Sequence, residues 1–220
     1  MQTKKVSRIF LAGLFLIIAF SCMAMAQQKS KNDILFDAMS PYEDLTEYAL
    51  ADNVAKVKEN IQSLDVSEAR LINVLSERAI RHLNINIEKM ITAEKSSDYA
   101  GIALYSVNSY KTIVDELNVA ELTIPVEVAI LDFVGFKIHA LLKQKNVDWR
   151  SIGEVVLEGS SRWNKIKENV SNKALQDTMN TTIDGLQAAV KSKNIEMLKF
   201  AAQVVLDLVD LLEGYFEVKK

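Results

Sequence analysis

The 220-residue chain has one cysteine, two prolines, seven glycines and two histidines. A single thiol excludes a disulfide-stapled scaffold and a structural zinc site built on thiolates. So few helix breakers exclude collagen-like and low-complexity chains and argue against an all-β fold, which needs many turns. No G-x-S-x-G, P-loop, G-x-G-x-x-G or H-E-x-x-H segment occurs, so the sequence offers no nucleophile elbow, phosphate loop, dinucleotide fingerprint or zincin helix. Basic and acidic residues nearly balance, 26 against 29. No basic stripe with interleaved aromatics is present, which makes nucleic acid a poor partner.

Residues 1–26 read as a cleaved signal peptide. Lys4, Lys5 and Arg8 form a cationic start, Ile9 to Phe20 an apolar run too short to span a bilayer comfortably, and Ala24-Met25-Ala26 an A-x-A cleavage site. The expected compartment is therefore exported, periplasmic or secreted, with lipidation at Cys22 as the minor route. Cleavage before Gln27 removes the sole cysteine, and with it thiol catalysis, thiolate metal sites and Cys-x-x-Cys-His haem attachment. It also removes three positive charges, taking the net charge from −3 to about −6. No later segment approaches 18 uncharged apolar residues, so no membrane span is expected after cleavage.

With 49% apolar residues, the rest of the chain can bury a sizeable core. Residues 27–40 read as a short N-terminal lead and 41–218 as a single helical domain. Ser40-Pro41-Tyr42-Glu43 has the form of a helix start, with a capping serine, proline at the first helical position and a capping-box glutamate. From it, Leu50, Val54, Val57, Ile61 and Leu64 continue at helical spacing. Asp65-Val66-Ser67-Glu68 reads as the next start, with a stripe from Leu71 to Met90. Further helices are expected over Tyr99 to Leu117, from Pro125 to about Gln144, and after caps at Asp148, Asn172 and Asn194. The expectation is an all-α, antiparallel up-down bundle of about six or seven helices. A weak internal duplication is suggested by residues 95–115 aligning with 193–213, and by Pro41-x-Glu43 against Pro125-x-Glu127.

The helix from Pro125 is apolar almost all round, the mark of a helix enclosed by others. Asp132 and His139 fall on one of its stripes, about 20° apart, with Gly135 between them. Seven residues of helix rise about 10 Å, too far for the two to share one small ion unaided. Glu47, and more weakly Glu43, lie one turn apart on the first helix and could complete a site with them. Carboxylates with imidazole suit Zn, Fe, Mn or Cu. Against this, helix-start glutamates also serve the cap and the dipole, and buried Asp and His can satisfy each other's neighbours in a purely structural network. His82 reads as a boundary or core histidine beside Asn86, Trp149 and Trp163 as packing aromatics, and Asp207, Asp210 and Glu213 as a solvated face.

These features favour an exported, non-enzymatic bundle that binds a metal ion or small ligand between helices, around Glu47, Asp132 and His139. The alternative is a structural or protein-interaction module of the envelope, with an envelope protein as partner and no small-molecule site.

Overall fold

A computed structural model describes residues 29–218, and of 65–70 the backbone alone. The expected signal peptide and Cys22 lie outside the described residues. Eight α-helices follow one another: α1 (Lys31–Leu50), α2 (Val54–Leu71), α3 (Glu77–Lys95), α4 (Tyr99–Val114), α5 (Val126–Lys143), α6 (Trp149–Ile166), α7 (Lys173–Ser192) and α8 (Ile195–Val218). Short 3-10 turns at Val119–Glu121 and Lys167–Asn169 complete the described residues, which contain no strand. The all-helical reading of the sequence is what the structure shows.

The starts of the later helices are set by single side chains. Asp148 Oδ1 accepts from the Arg150 and Ser151 amides at 3.1 Å, Asn172 from Leu175 and Asn194 from Met197. Each satisfies orphan amides of a first turn. Pro125 occupies the cap position of α5, where its missing N–H costs nothing.

The first three helices depart from the expected boundaries. Residues 31–39 are not a lead but the first turns of α1, and Pro41 sits inside that helix. The early start is held by a tertiary contact. Buried Asn32 donates from Nδ2 to the Asn118 carbonyl at 3.0 Å and accepts from the Asn118 amide at 2.9 Å. Beside Pro41, the Tyr42 carbonyl accepts from Thr46 Oγ1 of the same helix at 2.7 Å and from Ser106 Oγ of α4 at 2.6 Å, which ties this turn to α4. The stripe from Leu50 to Leu64 is not one helix either. Asp52 adopts a left-handed backbone, φ 54°, and Asn53 caps a new helix. The backbone then runs helical straight through 65–68, and the break falls at 72–76 instead. Ser76 caps α3 and is itself gripped by Glu116, which accepts from its amide at 3.1 Å. Asn32→Ala is therefore expected to cost about 1.5 kcal/mol, since it strands both backbone groups of Asn118. Urea unfolding would read the loss, and an unchanged midpoint would show that α1 begins without this clamp.

The helices pair in two rings with the same wiring. In the first, α1 packs most extensively on α4, α4 on α3 and α1 on α2, with a slighter α2–α3 contact. In the second, α5 packs most on α8, α8 on α7 and α5 on α6, with a slighter α6–α7 contact. The rings meet along α4 and α5, and α1 also reaches α5. The sequence match between 95–115 and 193–213 thus pairs the fourth helices of the two rings. The proline match does not carry over, because Pro125 opens its helix and Pro41 does not.

Helix α5 touches helices of both rings, which is why it is apolar nearly all round; Val128, Leu131, Val134, Ile138 and Ala140 are fully buried. Gly135 lets α8 come close. A Cβ there would lie 2.5 Å from Leu206 Cδ2 and 3.3 Å from the Ala202 carbonyl oxygen. Trp163 is a packing residue, 2% exposed, with its indole N–H donating to Asn180 Oδ1 at 2.7 Å. His82 is exposed on α3, not part of the core.

Candidate functional site

The close approach of α8 to α5, with α1 on the other flank, leaves a cleft of about 520 Å³ between the three helices. From α1 it is lined by Glu43, Glu47 and Leu50, and from α5 by Asp132, Phe136, His139, Leu142 and Lys143. From α8 come Lys199, Gln203, Leu206, Asp207 and Asp210. All four residues singled out in the sequence, Glu43, Glu47, Asp132 and His139, face this one cleft. Glu127 and Lys137, also on α5, do not. Lys137 is turned into the α4–α5 seam, where its ammonium donates to Asn108 Oδ1 at 2.5 Å and burial lowers its pKa to about 8.

Asp132 is the most enclosed of the carboxyls. Burial pushes its pKa well above the ordinary carboxylate range, and the negative charge of Glu43 adds to this. The Tyr110 hydroxyl works the other way, donating toward the carboxylate, while Glu213 and Asp210 raise it further. Glu43 is pushed up to about 7, mostly by burial and then by Glu47, Glu213, Asp44 and Asp210. Glu47 and Glu213 are raised for the same two reasons, burial first and neighbouring acids second. Burial disfavours the charged form of each carboxyl, and their mutual repulsion compounds it.

The opposite end is basic. Lys143 donates to the Leu50 carbonyl at 3.1 Å and pairs with Asp52 at 2.8 Å, tying the end of α5 to the end of α1. A cation there also complements the negative end of the α1 dipole. His139 is kept neutral near pH 7, because burial and the charge of Lys199 both lower its pKa. Its Nε2 is buried and has no hydrogen-bond partner among the described residues.

Asp207 and Asp210 were expected on a solvated face, and they are indeed exposed. They are nonetheless the third wall of the cleft, together with Lys199 and Gln203. A helical wheel separates core from solvent, but it cannot separate open solvent from a groove opposite another helix. Among the described residues, no group of three or more His, Cys, Asp or Glu side chains is placed to hold a metal ion. The candidates line a common space without converging on one point in it.

No helix of the described residues is long and apolar enough to cross a membrane. Comparison with protein-family models, with curated proteins and with solved structures returned no match to this chain, so the cleft's chemistry is read from its own geometry.

Proposed function

We propose that this is a non-enzymatic binding protein that takes a small, positively charged organic ligand in the cleft between α1, α5 and α8. The observation that carries the reading is the pair Glu43 and Asp132, two carboxyls crowded together and largely withdrawn from water, yet facing an open cleft. Ionised, they repel each other, and a cation placed between them relieves both the repulsion and the lost hydration. Apolar walls from Leu50, Phe136, Leu142 and Leu206 suit an organic body better than a bare ion. For the Zn, Fe, Mn or Cu anticipated from the residue types, no triple of donors is in place among the described residues. The absence of a nucleophile with a base beside it supports binding over turnover. The cationic start and apolar run of residues 1–26 support an exported setting.

Calorimetric titration of the full chain at pH 7 with octylamine, a single ammonium on an apolar body, tests this. A single site is expected, weakened at least ~10-fold by Asp132→Asn, the usual effect of losing one charge-assisted contact. Elemental analysis of protein purified without chelator supplies the opposing result. Near-stoichiometric metal that disappears in His139→Ala would replace the organic cation with a metal ion. Neither amine binding nor metal would leave the interaction-module reading.

A further inference from the structure

The cleft changes sign along its length, and the helix directions show where. Glu43 acts on Asp132, and Lys143 bonds the Leu50 carbonyl, so α1 and α5 run the same way. Asp210 acts on Asp132 while Lys199 acts on His139, so α8 runs the opposite way. One end therefore gathers Glu43, Asp132 and Asp210, and the other His139, Lys143 and Lys199. Helix rise places His139 about 10 Å and Lys143 about 16 Å along from Asp132, and separates Lys199 from Asp210 by about 16 Å as well. Phe136 and Leu206 stand between the ends, flanked by Glu47, Asp207 and the Gln203 amide.

We propose that the ligand is a linear zwitterion, lying with its ammonium between Glu43 and Asp132 and its carboxylate at His139 and Lys199. This rests on the cation-binding reading and adds the second charge and the length. A separation of about 10–16 Å matches an extended peptide of about three to five residues with free ends, at about 3.4 Å per residue. An ω-amino acid of equal length carries the same two charges. An α-amino acid is too short to reach both ends.

The basic end is equipped for a carboxylate. His139 lines the cleft and its Nε2 is buried without a hydrogen-bond partner among the described residues, so a turn of the ring would bring to the cleft a nitrogen that can donate in the neutral imidazole. Among the described residues Lys199 is paired with Glu196 on its own helix, at 3.8 Å and in an exposed pair that contributes little. Lys143 is committed to Asp52 and Leu50, so it shapes the local potential without needing to touch the ligand.

The test is calorimetry on the full chain at pH 7 with five probes: tetraalanine, N-acetyl-tetraalanine, tetraalanine amide, 8-aminooctanoate and 1,8-diaminooctane. The result expected is one site for a free zwitterion, weakened at least ~10-fold by acetylating the amine or amidating the carboxylate. Lys199→Met is expected to weaken tetraalanine by a similar factor and to leave the amide unchanged. Binding of tetraalanine but not aminooctanoate assigns a peptide, and the converse assigns an ω-amino acid. Diaminooctane binding with the amide as tight as the free acid overturns the zwitterion and leaves the cation site standing. Equal losses for acid and amide in Lys199→Met overturn it too. Silence from all five overturns both readings.

Discussion

Gly135→Val is expected to destabilise the protein by about 3 kcal/mol and to close the cleft, because this glycine sets the distance between α5 and α8. A Cβ at this position already meets Leu206 Cγ at 2.6 Å and the Ala202 carbonyl at 3.3 Å. Leu206, half-buried on the cleft wall, can swing aside, but the α8 backbone cannot. Valine's extra methyls must therefore lift α8 off α5 or leave strained rotamers, and overpacking of this kind costs about 1–3 kcal/mol or more. The glycine itself costs about 1 kcal/mol of helix propensity, so Gly135→Ala recovers part of its clash and should lose much less. Urea unfolding of the two variants checks the order. A valine variant as stable as the parent would show that the helices are not in register-limiting contact here. In either variant Leu206 is driven toward the space the ligand occupies, so affinity is expected to fall more than stability.

The second large effect is a dependence of stability on pH that runs opposite to ordinary acid denaturation. Glu43 titrates near 7 in the folded chain against 4.5 for a free glutamate, and Asp132 is displaced the same way from 3.8. Below about pH 3 both groups hold their protons folded or unfolded, and neither penalises folding. As pH rises, the unfolded chain releases them first, so the folded state binds more protons and stability falls. For Glu43 the loss runs from about pH 4.5 to about 7 and is complete above that. At about 1.4 kcal/mol per pH unit the interval caps the penalty near 3.5 kcal/mol, and solvent at this partly open carboxyl reduces it to about 2. The charges facing the pair are Glu47, Asp44, Asp210 and Glu213, all acidic, with Tyr110 the one donor that favours ionised Asp132. Glu43→Gln with Asp132→Asn is therefore expected to match the parent at about pH 3 and to exceed it by at least about 2 kcal/mol at about pH 8. Denaturation at the two pH values measures this, and equal stability at pH 8 would mean that the carboxyls are not crowded. A bound cation should abolish the difference, since it favours the ionised pair in the parent alone.

The sequence reached Glu43, Glu47, Asp132 and His139 because each carries a polar group on or beside an apolar helical face, a conflict visible on the helix itself. Lys199, Gln203, Asp207 and Asp210 carry no such conflict. They are exposed residues on the polar side of α8 and acquire meaning only because α1 and α5 stand opposite them. The sequence therefore supplied two walls of the cleft and took the third for bulk solvent.

Helical class and the later helix boundaries were determined by the sequence alone. Caps such as Asp148, Asn172 and Asn194 act within one turn, and the apolar run of α5 announces enclosure without naming its neighbours. Where α1 begins, and that it ends before α2, was decided by the tertiary structure. Pro41 is compatible with a first turn and costs a ladder bond inside a helix; the turn that carries it is held against α4 by the Ser106 bond to the Tyr42 carbonyl, across 64 residues of chain. The helical spacing from Leu50 to Leu64 survives a three-residue break, so periodicity could not reveal the left-handed Asp52. The polarity of the cleft belongs to the tertiary level too. Each helix contributes charges of one or both signs, and only the antiparallel run of α8 against α1 and α5 sets Asp210 beside Glu43 and Asp132 and Lys199 beside His139.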